Sequence, residues 1–451
     1  MGGILKLKPK AGVVFTCIDG FDLDQDKLGN YQKKFINILN KLDIENKNID
    51  FIVKNENDAK KANEIFSGEN LDIIILVVAV WTPDALALSL LNNLNIPVIV
   101  FTTSLSTQTV SINGAQVISA SLKELGFDFK FIFGEISEVK VQKKIIDYCF
   151  AAAIVKRLKS MRIGLIGYIP EIMLSLNFDI FAVKKVFGPT VVPVDFYKLN
   201  DYVERARKNL ESKIDSKIDY IKKNVGKVMV SDETVSESLS FYYAFLELAK
   251  DLNFDSIAIN CFPTPAIKGK TCLAVSNLND EGIVAACEGD VNSAIIMSAF
   301  NLITGKASLN SDLIIEYENE NQIMFSHCGG GPFSCASKMS DIILDKQYEV
   351  KSGLGVYYPV KTGGKEVTII NLVGNELTYR MCILNGTSVA LDKLTYYGNP
   401  INIKFKTDVE DLINTIGNEG FGHHWMLAFG AYKDIFLEIC KMLKIYCINI
   451  D

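Results

Sequence analysis

Histidine is nearly absent from this sequence: 451 residues contain three. Two are adjacent in Gly422-His423-His424-Trp425, and the third lies in Ser326-His327-Cys328-Gly329-Gly330-Gly331. Metal ligation and proton transfer near neutral pH are the two jobs that fit so sparing a use, the alternative for any one being a satisfied core or turn residue. Paired cysteines are missing as well. The ten cysteines form no C-x-x-C pair and lack the dense spacing of a small disulfide scaffold, so they read as reduced, buried small hydrophobes of a cytosolic protein. Long apolar runs are missing too. The longest, 73–81, is bounded by Asp72 and Asp84 and is far too short to span a bilayer. Lys6, Lys8 and Lys10 interrupt the N-terminus before a secretory core forms. A soluble cytoplasmic protein without a membrane partner is expected.

No concentrated basic surface is evident. The net charge is −6, and Lys33, Lys34, Lys60 and Lys61 are interleaved with acids and amides, which excludes nucleic acid as the expected partner. Nucleotide fingerprints are also lacking. Gly164-x-x-Gly167 misses the G-x-G-x-x-G spacing and Cys328-Gly329-Gly330-Gly331 misses the Gly-Lys-Ser/Thr ending, so no nucleotide cofactor is expected.

What is present is the patterning of a globular α/β chain, 49% hydrophobic and 22% charged. Short apolar, β-branched runs at 13–17, 51–53, 73–80, 97–102 and 129–133 alternate with segments of helical length, the pattern of a parallel sheet buried on both faces. A new strand begins at Arg162, followed by a charged helical stretch over 201–223, a helix near 237–251 and a strand at 256–261. From about Val350, glycine-bearing turns at Gly363-Gly364, Gly374-Asn375 and Asn385-Gly386 separate β-rich runs, which predicts antiparallel hairpins in a small sheet or barrel. The stretch from Trp425 onward predicts a helix followed by an apolar strand at 445–450. The fold class expected is therefore α/β: two tandem Rossmann-like domains, 1–160 and 161–308, followed by a β-rich, antiparallel barrel-like domain, 309–451.

Two carboxylates stand out beside the histidines. Ala286-Cys287-Glu288-Gly289-Asp290 precedes an apolar helix predicted over 291–305, and Asp290 reads as its N-cap. Glu288 has no such routine use, and a carboxylate there is costly to bury unless a metal or hydrogen bonds compensate it. Asp312, in Leu309-Asn310-Ser311-Asp312, reads in isolation as a turn residue. Its interest is that a helix out from Glu288 and an element back would bring both carboxylates to one end. Joined by His327 and His424, such an oxygen-and-nitrogen set suits Mn²⁺, Mg²⁺ or Co²⁺ better than a thiolate zinc site does.

On Cys287-Glu288-Gly289-Asp290, Asp312, Phe325-Ser326-His327 and Gly422-His423-His424-Trp425, the chain resembles the L-fucose/L-arabinose isomerases, metal-dependent aldose-ketose isomerases. Weaker echoes are Ala79-Val80-Trp81-Thr82-Pro83 and Asn113-Gly114-Ala115-Gln116. The resemblance implies Glu288 and Asp312 as metal ligands that double as acid and base, His424 as a ligand, and His327 as a further ligand of the arabinose branch. It also implies a small-molecule sugar substrate and a trimer-based homo-oligomer, a hexamer, with N-terminal groups of a neighbouring subunit near each site. Asp312 matches the fucose branch, whereas Glu-Gly-Asp and Ser-His match the arabinose branch, so the sugar stays open.

Moving a proton between C1 and C2 of a sugar needs an acid/base group beside each carbon and a cation on O1 and O2 to stabilise the enediolate, which is what these ligand types supply. Trp81 and Trp425 are candidate substrate contacts, although Trp81 reads first as an apolar strand end. His423 either binds a sugar hydroxyl or fills a turn, pointing away from His424. The Gly329-Gly330-Gly331 run either admits backbone N–H groups to the substrate or permits a tight turn. An epimerase, an isomerase of a sulfonated or deoxy aldose, and a non-catalytic sugar-binding protein are the alternatives. Lys268 or Lys270, after Pro265, would favour an anionic sugar.

Overall fold

A computed structural model describes residues 6–18, 25–261, 267, 269–374 and 378–450. Pro265, Lys268 and Asn375 lie outside these residues. The chain divides into two compact units, residues 7–156 and Arg157 onward together with Lys6.

The first unit alternates strands and helices: β1 (Lys10–Thr16), α1 (Gln25–Leu39), β2 (Glu45–Val53), α2 (Glu56–Ser67), β3 (Ile73–Val78), α3 (Asp84–Leu91), β4 (Val98–Thr102), α4 (Ser111–Glu124), β5 (Phe129–Phe133) and α5 (Val139–Ser160). Its five strands form an all-parallel sheet in the order β2-β1-β3-β4-β5. Every residue of β3 and of β4 is buried, which is why these segments read as unbroken apolar runs.

The second unit opens with β6 (Arg162–Ile166), α6 (Ile180–Val186), β7 (Thr190–Val194), α7 (Phe196–Asn209), α8 (Glu211–Asn224), the two-residue β8 (Lys227–Val228), α9 (Asp232–Leu252), β9 (Ser256–Ile259), α10 (Cys272–Asp280), β10 (Val284–Cys287) and α11 (Val291–Thr304). The charged stretch expected as one helix is two, α7 and α8, separated at Leu210. Strands β10-β9-β6-β7 make a four-stranded parallel sheet.

Then follow β11 (Leu309–Tyr317), β12 (Gln322–Ser326), β13 (Ile343–Asp345), β14 (Gly355–Tyr357), β15 (Glu366–Val373), β16 (Arg380–Val389), β17 (Ile401–Lys404), α12 (Val409–Asn418), β18 (His424–Phe429), α13 (Lys433–Leu443) and β19 (Tyr446–Ile450). Seven of these strands form a sheet in the order β15-β18-β11-β12-β17-β16-β19, antiparallel except for β19, and a β15–β16 pairing closes six of them into a ring. One apolar cluster runs from Ile166 through Ile257 and Phe325 to Leu427, so the parallel and antiparallel sheets share a core.

Three local expectations are corrected. Asn385-Gly386 is not a turn but lies within β16, where a Cβ on Gly386 would sit 2.3 Å from the Cγ2 of Ile403; the glycine serves a close strand approach. Residues 425–429 are strand rather than helix, because β18 is buried between β11 and β15 and an apolar run that short does not distinguish the two. Asp312 sits in strand β11, not in a turn, its neighbours' propensities overridden by pairing on both sides.

Candidate metal centre and active site

Strand β10 ends at Cys287, and the next two residues, Glu288 and Gly289, take left-handed backbone conformations with φ of 58° and 65°. This turn brings Glu288 off the carboxyl end of the sheet, where parallel α/β sheets place their ligands. Only glycine fits the second position, since a Cβ there would lie 2.1 Å from the carbonyl oxygen of Tyr168. Asp290 caps α11, accepting from the Ser293 backbone N–H at 3.0 Å and hydroxyl at 2.5 Å. Its Oδ2 also accepts from Nδ1 of His424 at 2.7 Å, a role the capping pattern concealed in the sequence.

The antiparallel sheet delivers the remaining groups. In its register Asp312 on β11 stands opposite His424 on one side and Ser326 on the other. His327 follows β12 directly and donates from Nδ1 to Asp312 Oδ2 at 3.0 Å. The rings of His327 and His424 lie 5.4 Å apart and perpendicular. His423 does not point away from its neighbour: its Nε2 is 3.3 Å from Glu288 Oε2, and Nε2 of His424 is 3.4 Å from the same oxygen. All three histidines of the chain therefore meet Glu288, Asp290 and Asp312.

Among the described residues, two groups offer ligand atoms within 4.8 Å of one another: Glu288 with His423 and His424, and Asp312 with His327 and His424. In the second, Asp312 Oδ1 and His327 Nε2 are buried without a hydrogen-bond partner, and buried His424 Nε2 has only its 3.4 Å approach to Glu288 Oε2. Buried polar atoms are rarely left so. Because each Nδ1–H is donated to a carboxylate, each neutral ring would present its Nε2 lone pair, the arrangement in which carboxylates orient metal-binding imidazoles. The residues present fit a divalent cation with oxygen and nitrogen ligands.

Electrostatics point the same way. Burial would push Glu288 up, but hydrogen bonds with His423 and His424 hold its carboxyl far below the usual range. Asp290 is likewise held low by His424 against its burial. Burial opposes charge on His424, yet Asp290 and Glu288 raise it to about 10, and His327 is raised well above the ordinary value by Cys328 and Asp312. In the metal-free protein, protons on imidazole thus balance charge that a cation would balance instead.

Trp425 is not available to a substrate. Strand alternation that turns His424 into the site turns Trp425 into the core, where it is 1% exposed and packs on Phe325 and Phe421. Trp81 belongs to the first unit, half-buried beyond β3, with its Nε1–H donated to Asn113 Oδ1 at 2.9 Å. The glycine run resolves at Gly331: its N–H donates to Asn399 Oδ1 at 2.9 Å, and a Cβ would collide with that side chain, so close packing is its use. Sequence reasoning missed Glu349, whose carboxyl is pushed up to about 7 by burial and by Cys328, with His327 opposing and Glu288 and Asp312 adding to the rise. No local pattern marks it; only tertiary proximity does.

No model of a known protein family matches the chain. It is 26% identical over 347 residues, 76% of this chain and 77% of the relative, to a protein named sulfoquinovose isomerase from Alkalicoccus urumqiensis. Proteins of the same name from Priestia megaterium and from a Clostridium species are each 23% identical across 74% of this chain, covering 74% and 75% of their own lengths.

Proposed function

We propose that the chain is a divalent-metal-dependent aldose-ketose isomerase and that its substrate is a sulfonated aldose. The name shared by the relatives supports sugar isomerisation, including its sulfonated form. The observation that supports the metal is the pair of buried, partnerless atoms Asp312 Oδ1 and His327 Nε2 beside His424 Nε2, whose one neighbouring carboxylate is Glu288 at 3.4 Å.

A divalent cation at this centre, Mn²⁺ or alternatively Mg²⁺ or Co²⁺, supplies positive charge for the two adjacent sugar oxygens. The chain's own groups move the protons. In the aldose-to-ketose direction one carboxylate takes the proton from C2, and the C–H electron pair becomes the C1–C2 double bond as O1 gains a proton. The second step returns a proton to C1 while O2 loses one, leaving the ketone. Glu288 and Asp312 are the acid/base pair assigned to these steps. Glu288 needs to be ionised yet basic. Burial raises its pKa and a bound cation would oppose that rise, so the two effects together would set the working value of the base.

Metal-stripped protein, with and without Mn²⁺, in D₂O with fucose, arabinose and sulfoquinovose gives the test. Mn²⁺-dependent ketose carrying deuterium at the exchanged carbon is expected. Exchange without ketose would replace isomerase with epimerase, and metal-independent sugar binding without exchange would overturn the catalytic reading.

A further inference from the structure

The ten cysteines are scattered along the sequence, yet four of them meet beside the candidate centre. Cys287 ends β10 and immediately precedes Glu288, and Cys328 immediately follows His327. Each arm of the centre therefore carries a thiol next to one of its own residues. Each of those thiols also has a thiol partner on a further element. Strands β9 and β10 run parallel with Ile259 opposite Cys287, and alternation brings Cys261, two residues beyond Ile259, to the same side. The Cys261 and Cys287 thiols hydrogen-bond to one another. Cys272 is the first residue of α10, and its thiol hydrogen-bonds to that of Cys328.

Packing holds the four together. A Cβ on Gly330 would meet Cys287 Sγ at 3.5 Å and Val275 of α10 at 3.4 Å, so the loop after His327 lies against both the end of β10 and α10. That loop is pinned in turn. The Cys328 carbonyl accepts from the Gln347 side chain at 3.3 Å, and the Gly329 carbonyl accepts from the Val356 N–H at 2.8 Å.

All four cysteines are free, Cys272 and Cys287 buried and Cys261 and Cys328 partly exposed. Each pair thus joins a thiol that solvent reaches to one that it does not, the arrangement of a sensing sulfur beside a resolving one. The pairs differ in which member touches the centre. In Cys261–Cys287 the exposed sulfur is the one remote from the centre, whereas in Cys272–Cys328 it is the neighbour of His327.

We propose that Cys328 and Cys272 form a reversible disulfide, with hydrogen peroxide as oxidant, that switches the metal centre off. The Cys328 sulfur attacks a peroxide oxygen, the O–O bond breaks, and the departing hydroxide takes the thiol proton and leaves as water, giving a sulfenic acid. The Cys272 sulfur then displaces the sulfenic hydroxyl, which leaves as water with the Cys272 proton. Two thiols lose two electrons and two protons, and the peroxide is reduced to two waters. A disulfide of about 2.05 Å is far shorter than a hydrogen bond between thiols, so closing it draws residue 328 toward α10 and His327 with it.

This rests on the metal-centre reading for its effect but not for the bond. Peroxide-treated protein, digested without reduction and mapped by mass spectrometry, reads the bond, and Mn²⁺ titration of the same samples reads the effect. Wild type should yield peptides joined through Cys272 and Cys328. Its Mn²⁺ affinity should fall about tenfold, the scale on which disturbed ligand supports act, and dithiothreitol should restore it. Cys272→Ala should bind Mn²⁺ as wild type does before treatment and yield no joined pair. After peroxide its Cys328 should pass to the sulfinic acid, and its lost affinity should not return with dithiothreitol. A joined pair with unchanged Mn²⁺ affinity, or the same reversible loss in Cys272→Ala, overturns the proposal. No joined pair in wild type that binds Mn²⁺ removes the switch and leaves the centre standing; no Mn²⁺ binding before treatment removes the centre, and the switch with it.

Discussion

The two carboxylates that meet at His424 arrive by opposite routes. Glu288 comes from a two-residue left-handed turn at the end of a parallel strand, and both histidines of the 423–424 pair engage it. Asp312 comes from an antiparallel strand, placed by register opposite His424, and one of its oxygens remains buried without a partner. One arm is built by local backbone geometry, the other by long-range pairing. The difference separates two tasks: the turn sets the charge balance, and the strand leaves ligand positions open.

Charge removal should separate them most strongly. Glu288→Gln keeps the shape of the turn but removes both the ion pairs and the proton acceptor, and kcat/KM should fall by about 10³-fold or more with the circular dichroism spectrum intact. Asp312→Asn should cost similar activity but chiefly through weaker Mn²⁺ binding, read by metal titration. Retained turnover in Glu288→Gln would sink the assignment of the base.

Backbone changes should break the turn arm and spare the strand arm. Gly289→Ala adds a Cβ 2.1 Å from the Tyr168 carbonyl at a positive φ, and thermal melts should show a loss of about 1–3 kcal/mol. Ser311→Ala, next to Asp312 on β11, removes a buried hydroxyl that has no hydrogen-bond partner and should change stability by less than about 0.5 kcal/mol.

pH should act on the metal-free protein through the same charged groups. His424, raised to about 10, contributes stability that is fully present below the ordinary histidine value of about 6.5 and is lost as pH rises through 10. Glu288 and Asp290, both lowered, contribute stability present above the ordinary carboxylate value of about 4 and lost as pH falls through their folded values. Melting temperature without metal should therefore decline from about pH 6.5 toward 10. With Mn²⁺ bound, His424 is neutral and its share of that decline should vanish; identical alkaline curves would refute its ligation.

Much of this was readable in advance, and the failures are instructive. The strands at 73–78 and 98–102 were legible because residues buried on both faces leave continuous apolar runs. The Asp290 cap was legible from its position before an apolar helix, but its bond to His424 was not, since no spacing rule links residues on separate sheets. Asn385-Gly386 looked like a turn because that dipeptide suits one, while the packing of Ile403 against Gly386 is invisible to local pattern.

By itself the sequence determined the alternation of strands and helices, and also the chemical types available for a site: three imidazoles and a few carboxylates with no routine structural use. Both follow from local rules, burial periodicity and the cost of burying charge. Only the tertiary structure decided that Asp312 faces His424, that His423 shares Glu288 with its neighbour, that Trp425 is core, and that Lys270 is paired with Glu237. Strand register and loop packing settle those matters, and a shift of one residue in register would reverse every side chain of the strand.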